Sequence, residues 1–219
     1  VMLQVRRLQI ANAAGAVPAL IKLIRDAGPL PMKMSAMSTI ADLAKDPTTC
    51  SVLEESNAFA VICTGLTSWE LPQLQEVALK ILQYLFTGGL TLSTQREAQT
   101  LAEALASCVS KDHVQVQSLA LGLCEPLCAI EQYRVAIGHV IAPKLAPLFD
   151  TSSGRMLSNE LRDMALKTLA TLSADRQTVD ALIKAECVTS ISNILTTSLE
   201  EEVLAMVLDV LVQVAKSGA

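Results

Sequence analysis

Six cysteines, two histidines and a few acidic clusters are the residues of this 219-residue chain with chemistry to offer. Cys124 and Cys128 stand four apart, and beside His113 or His139 they would suggest a metal site. That spacing matches no zinc pattern. None of Cys50, Cys63, Cys108, Cys124, Cys128 and Cys187 forms a CxxC pair. They lie in apolar stretches, where a reduced cysteine behaves as a small hydrophobe. The reading is core thiols in a reducing compartment, with no metal and no cofactor. No GxSxG elbow, glycine-rich phosphate loop or HExxH helix is present, so no catalysis is expected. The acids Glu54–Glu55 and Glu200–Glu202 read as solvated faces or helix starts. A net charge of −5 and a pI near 5.1 argue against a nucleic-acid binder, and Arg6–Arg7 is too small a basic patch. No run reaches the eighteen apolar residues of a membrane span, and no signal peptide is seen. The expected location is cytoplasmic, with nucleus or cilium as alternatives.

Apolar residues make up 51% of the chain and aromatics only 3%, so the core is built from Leu, Ala, Val and Ile. In AGAVPALIKLI, Ala14 to Ile24, a helix opens at Gly15 and Pro18 and carries Val17, Leu20, Leu23 and Ile24 on one stripe. The stripe returns four times. It reads Phe59, Ile62, Gly65, Leu66; then Leu101, Ala104, Ser107, Cys108; then Ala142, Leu145, Leu148, Phe149; then Val188, Ile191, Ile194, Leu195. The leading residues are 42, 42, 41 and 46 apart. A helical period of about 40 to 47 residues marks armadillo or HEAT arrays.

A longer helix follows each stripe. The five are MKMSAMSTIADLA, LPQLQEVALKILQYLF, HVQVQSLALGLCEPLCAI, ELRDMALKTLATLS and EEEVLAMVLDVLVQVA. Ala36, Ala78, Ala120, Ala165 and Val207 fall at one position in them. KDPTT ends the first, because a residue before proline avoids the helical region. Gly88 or Gly89 supplies a left-handed cap for the second. Pro126 lies inside the third, four residues after Gly122, and is expected to kink that helix rather than end it near Cys124. DTSSGRMLSN holds the insertion that stretches the last spacing. The array is expected to fill residues 1–219 in units of roughly 8–48, 49–90, 91–131, 132–176 and 177–219. VMLQVRRLQI opens mid-pattern and the far end is equally apolar. Solenoids need polar ends, so the expectation is a segment of a longer protein or ends covered by something else.

AGAVPALIKLI resembles the opening of the second helix of armadillo repeats, and ALKILQYL and ALKTLATLS resemble the core of the third. The resemblance covers all five units, with the third and fifth degenerate. It implies an all-α, right-handed superhelix of three-helix repeats, with the third helices lining a concave groove that binds extended peptides or proteins. In importin-alpha and beta-catenin, an Asn on that helix grips the peptide backbone. The matching positions here are Asp42, Tyr84, Pro126, Thr171 and Gln213. Importin-alpha adds a Trp four residues earlier, where this chain has Ser38, Lys80, Gly122, Lys167 and Asp209. Neither signature residue is present, and the lone Trp69 lies in a loop, so nuclear-import activity is not implied.

The resemblance therefore implies a non-enzymatic scaffold whose groove presents Ser38, Asp42, Lys80, Tyr84, Lys167, Thr171, Asp209 and Gln213 to a partner protein or peptide. Polar residues opposite an apolar stripe also occur on any solvated amphipathic helix. A second reading is a structural subunit packed permanently in a large assembly, ciliary or organellar, which the mean hydropathy of +0.42 favours. A third is a regulatory or chaperone-cofactor region.

Overall fold

A computed structural model describes residues 7, 9–11, 13, 15–26, 28–149, 158–197 and 200–217. Among them every regular element is helical. The chain divides into two compact units, Val1–Thr100 and Leu101–Ala219. In the first lie α1 (Ala16–Arg25), α2 (Leu30–Ala44), α3 (Pro47–Glu55), α4 (Ala58–Ser68) and α5 (Pro72–Thr87). Helix α6 (Gln95–Val109) follows. The second unit continues with α7 (Val114–Ala129), α8 (Glu131–Leu145), a 3-10 turn at Ala146–Phe149 and α9 (Asn159–Leu172). It ends with α10 (Arg176–Lys184), α11 (Cys187–Ser192), α12 (Ile194–Thr197) and α13 (Glu201–Ser217).

The five long helices of the sequence pattern are α2, α5, α7, α9 and α13. In the first unit α2 packs on α5 and on α1, and α4 packs on α5. In the second α7 packs on α9, α8 on α10, and α9 on α13. Ala36, Ala78, Ala120, Ala165 and Val207 are all buried. A small side chain at that position allows helices to approach closely, and four of the five are alanine.

The turns repeat as regularly as the helices. The residue before α1, α4 and α11 is left-handed each time: Gly15 at φ 80°, Asn57 at φ 60° and Glu186 at φ 59°. Two first helices share another device. Asp46 caps α3 by accepting from the Thr48 N–H at 3.1 Å, and Asp175 caps α10 by accepting from the Gln177 N–H at 2.8 Å. Three residues after each Asp, a buried threonine closes the turn. Thr49 donates to the carbonyls of Leu43 and Asp46, and Thr178 to those of Leu172 and Asp175. Thr94 and Glu97 form a capping box at α6. The Glu97 carboxylate accepts from the Ser93 and Thr94 N–H groups at 2.8 and 3.0 Å, and the Glu97 N–H donates back to Thr94 at 3.2 Å.

Several expectations need correction. On α1 the core side chains are Val17, Ile21 and Ile24, while Leu23 is exposed and Leu20 half-buried. The Leu20 and Leu23 edge of α1 instead lines a shallow depression of about 370 Å³ together with Pro31, Met32, Ser35 and Thr39 of α2. The fourth stripe does not open a helix. Ala142 and Leu145 lie at the end of α8, which runs through Pro143, and Leu148 and Phe149 follow in the 3-10 turn. The fifth stripe is broken at Asn193 into α11 and α12. The third is longer than its stripe, starting at Gln95. Helix α2 begins at Leu30, two residues ahead of the MKMSAMSTIADLA stretch, and α1 ends at Arg25. The Val1–Ala13 segment and the 150–157 part of the insertion loop lie mostly or wholly outside the described residues. Helix α7 does pass through Pro126 and reaches Ala129. Gly89, at φ 103°, is the left-handed residue after α5, and Gly88 is not.

Candidate functional site

A long helix has one face to leave open once its neighbours are packed. Helices α2, α5, α7, α9 and α13 share a register in which Ala36, Ala78, Ala120, Ala165 and Val207 are equivalent. Two and six residues after that point, every one of the five helices is exposed or half-buried. One and seven residues after it, the side chains are apolar, and all are buried except Leu208 on α13. In the first unit the open positions carry Ser38, Asp42, Lys80 and Tyr84. In the second they carry Gly122, Pro126, Lys167, Thr171, Asp209 and Gln213.

The structure joins part of the first row. Lys45, the residue that ends α2, places its Nζ 2.6 Å from Asp42 Oδ1. The same ammonium sits 5.9 Å from the centre of the Tyr84 ring on α5. Asp42, Lys45 and Tyr84 thus form a polar cluster across two neighbouring long helices. An ammonium over an aromatic face is favourable by about 0.5–1 kcal/mol when exposed. Ser38 and Lys80 stand on the same open faces one turn earlier and are not drawn into that cluster. In the second unit the Thr171 hydroxyl donates to the Lys167 carbonyl at 3.0 Å, so it is turned to its own helix. Lys167, Asp209 and Gln213 are open to solvent, in whole or in part.

The residues that hold this row in place were not singled out from sequence. Gln75 on α5 donates to the Trp69 carbonyl at 2.8 Å, and Gln117 on α7 donates to the Val109 carbonyl at 3.0 Å. Both glutamines are buried and occupy the same register position. Each ties the first turn of a long helix to the end of the helix before it. Arg162 holds that position on α9 and reaches Glu200 Oε2 at 2.6 Å, just before α13. A Gln three residues before the conserved-register alanine was the available signal. Trp69 is half-buried rather than loose. Its ring lies against Gly65, and Lys33 Nζ is 5.7 Å from its centre.

All six cysteines are buried. Burial pushes the Cys108 and Cys128 thiols up to about 12 and Cys187 to about 11, and raises Cys124 well above its ordinary value. These thiols stay protonated at neutral pH, and that of Cys187 donates to the Ala142 carbonyl at 3.1 Å. Among the described residues no three His, Cys, Asp or Glu side chains converge as metal ligands do. Among them, too, no helix is long and apolar enough to cross a membrane.

No family model matches the chain, and no curated protein matches it in sequence. Its backbone is similar to those of designed repeat proteins. One is a designed armadillo repeat protein in complex with the peptide (KR)4, at 18% identity and a TM-score of 0.64, covering 96% of this chain and 91% of that one. Another comes from computationally designed armadillo repeat proteins for modular peptide recognition, at 20% identity and a TM-score of 0.66, covering 95% and 90%. A third designed armadillo repeat protein matches at 19% identity and a TM-score of 0.63, covering 95% and 90%. With the repeated helices, turns and caps above, this likeness over nearly the whole length makes the chain an all-α protein of the armadillo repeat fold.

Proposed function

We propose that this protein is a non-enzymatic interaction scaffold that holds an extended peptide or protein segment against the open faces of its long helices. The observation that carries the reading is the register itself. The two positions left open on every long helix are occupied mainly by hydrogen-bonding side chains, a helical turn apart, on an otherwise apolar frame. In the first unit these are Ser38, Asp42, Lys80 and Tyr84, with Lys45 bridging Asp42 and Tyr84. In the second they are Lys167, Thr171, Asp209 and Gln213. Neither row has one sign of charge, so it suits a partner of mixed charge held by main-chain hydrogen bonds. The designed proteins of similar fold, one bound to (KR)4 and others made for peptide recognition, lend support by analogy of fold.

The test is selection of peptides from a displayed random library on the immobilised chain. Their affinities are then measured for the parent and for Tyr84→Ala, Lys80→Glu and Lys167→Glu, with circular dichroism to show unchanged folding. Loss of tenfold or more in affinity, about 1.4 kcal/mol, in at least one variant is expected. Peptides that bind all three variants as tightly as the parent would overturn the assignment of the surface.

A further inference from the structure

We infer that α7 holds a bound peptide through its own main chain, the Gly122 carbonyl accepting a hydrogen bond from a main-chain N–H of the extended segment. The inference rests on the scaffold reading above and supplies the group that acts where the row of side chains is broken. Helices α2, α5, α9 and α13 each place two hydrogen-bonding side chains at their open positions, as α9 does with Lys167 and Thr171. On α7 the same two positions hold Gly122 and Pro126, which offer none.

What α7 offers instead follows from the proline. The helix runs from Val114 to Ala129 straight through Pro126. A proline nitrogen carries no hydrogen, so the carbonyl four residues back, that of Gly122, loses its partner within the helix. A helical carbonyl points along the axis toward the following turn, on its own residue's side of the helix. The Gly122 oxygen therefore lies on the open face of α7. The carbonyls at the end of the same helix are answered differently. The Ile130 N–H donates to Leu127 at 3.1 Å, and the Arg134 guanidinium donates to Cys128 at 2.7 Å and to Ala129 at 3.1 Å. A main-chain carbonyl left by its own helix has to be met by water or by a partner.

Gly122 keeps that oxygen approachable. Packing does not demand a glycine there: an added Cβ would stand 3.1 Å from Met164 Cε, the free end of a flexible side chain on α9. With no side chain over it, the carbonyl is open to another backbone, the close approach that glycine permits. A main-chain donor fits this place better than a cationic side chain. Helix α9 packs on α7 and carries Lys167 at the register position of Gly122, and its ammonium would repel a Lys or Arg held alongside. A main-chain N–H is neutral, and every residue of the segment except proline supplies one. Helix α7 thus grips the segment without selecting the side chain that passes over it.

The test uses peptides selected on the 219-residue chain and resynthesised with single amide-to-ester replacements, each exchanging one main-chain N–H for an oxygen. At one position the ester should weaken binding to the parent about fivefold, as loss of one hydrogen bond does. Pro126→Ala restores an N–H that pairs with the Gly122 carbonyl inside the helix. The variant should bind the all-amide peptide about fivefold more weakly, and in it that one ester should be harmless while the other esters keep their effects. Circular dichroism should show helix content at or above the parent's. Folded Pro126→Ala that binds the all-amide peptide as tightly as the parent overturns the inference, and so does an unchanged effect of every ester in the variant. In either case, weaker binding by Tyr84→Ala, Lys80→Glu or Lys167→Glu leaves the scaffold reading standing. A chain on which no peptide can be selected overturns both.

Discussion

Trp69 shows how one side chain can be settled by what it rests on. A Cβ at Gly65 would lie 2.3 Å from the Trp69 ring, far inside contact distance. The absence of a side chain at Gly65 is what lets the indole lie flat on α4. There it receives the Lys33 ammonium on its ring, while its carbonyl accepts from Gln75. Gly65→Ala must lift the ring, and overpacking of this kind costs about 1–3 kcal/mol. Trp69 is the only tryptophan, so its emission reports this site alone. The variant should melt at lower temperature and its emission should shift to longer wavelength as the ring meets water. The sequence places Trp69 in a loop, and it does lie between α4 and α5. The contact with Gly65 depends on a turn that brings the ring back over its own helix, which periodicity does not encode.

Helices and turns were legible in different degrees. The long helices are read almost to the residue, because their apolar positions recur at 3.6 and their ends carry proline, glycine or acids. The second helices were harder. Those headed by Ala142 and Val188 keep the apolar residues of the stripe but not the helix, since Pro143 is absorbed late in α8 and Asn193 interrupts the last one. Composition fixes which residues are buried there, while neighbouring helices decide how the backbone delivers them. The left-handed turn before α1, α4 and α11 is a clearer rule. Gly15 meets it without strain, Asn57 tolerates it, and Glu186 is forced into it. A left-handed conformation costs an ordinary residue about 1–2 kcal/mol, part of which glycine returns through its more flexible unfolded chain. Glu186→Gly is therefore expected to stabilise the protein by about 0.5–1 kcal/mol, read as a higher midpoint in chemical denaturation. A lower midpoint would mean that the Glu186 side chain makes a contact worth more than the strain.

At the scale of the whole molecule, an armadillo-type fold makes stability a sum of local contacts, because each repeat touches only its neighbours. Leu79 is fully buried where α5 meets α2 and α4. Leu79→Ala should cost about 2–5 kcal/mol through lost burial and the cavity left behind. Amide exchange should quicken most in α2, α4 and α5, with α9 and α13 close to the parent. Equal acceleration everywhere would show a single cooperative unit instead. The same locality explains why a binding surface can be spread along the chain. The long helices each contribute two open positions, and changing one leaves the frame intact.

The sequence alone determined the fold class and the register, because both follow from apolar residues that recur at fixed spacing and need no partner to be recognised. It also placed Ser38, Asp42, Lys80, Tyr84, Lys167, Thr171, Asp209 and Gln213 on the polar side of their helices. Tertiary structure decided what those residues meet. Lys45 ends a helix by its sequence position, yet only the packing of α2 on α5 brings its ammonium to both Asp42 and the Tyr84 ring. Leu208 shares its register position with the buried Met37, Leu79, Leu121 and Leu166, yet it is exposed on α13, and periodicity alone does not separate them. Periodicity records which side chains avoid water; which neighbour covers each one is fixed by distances between helices far apart in the chain.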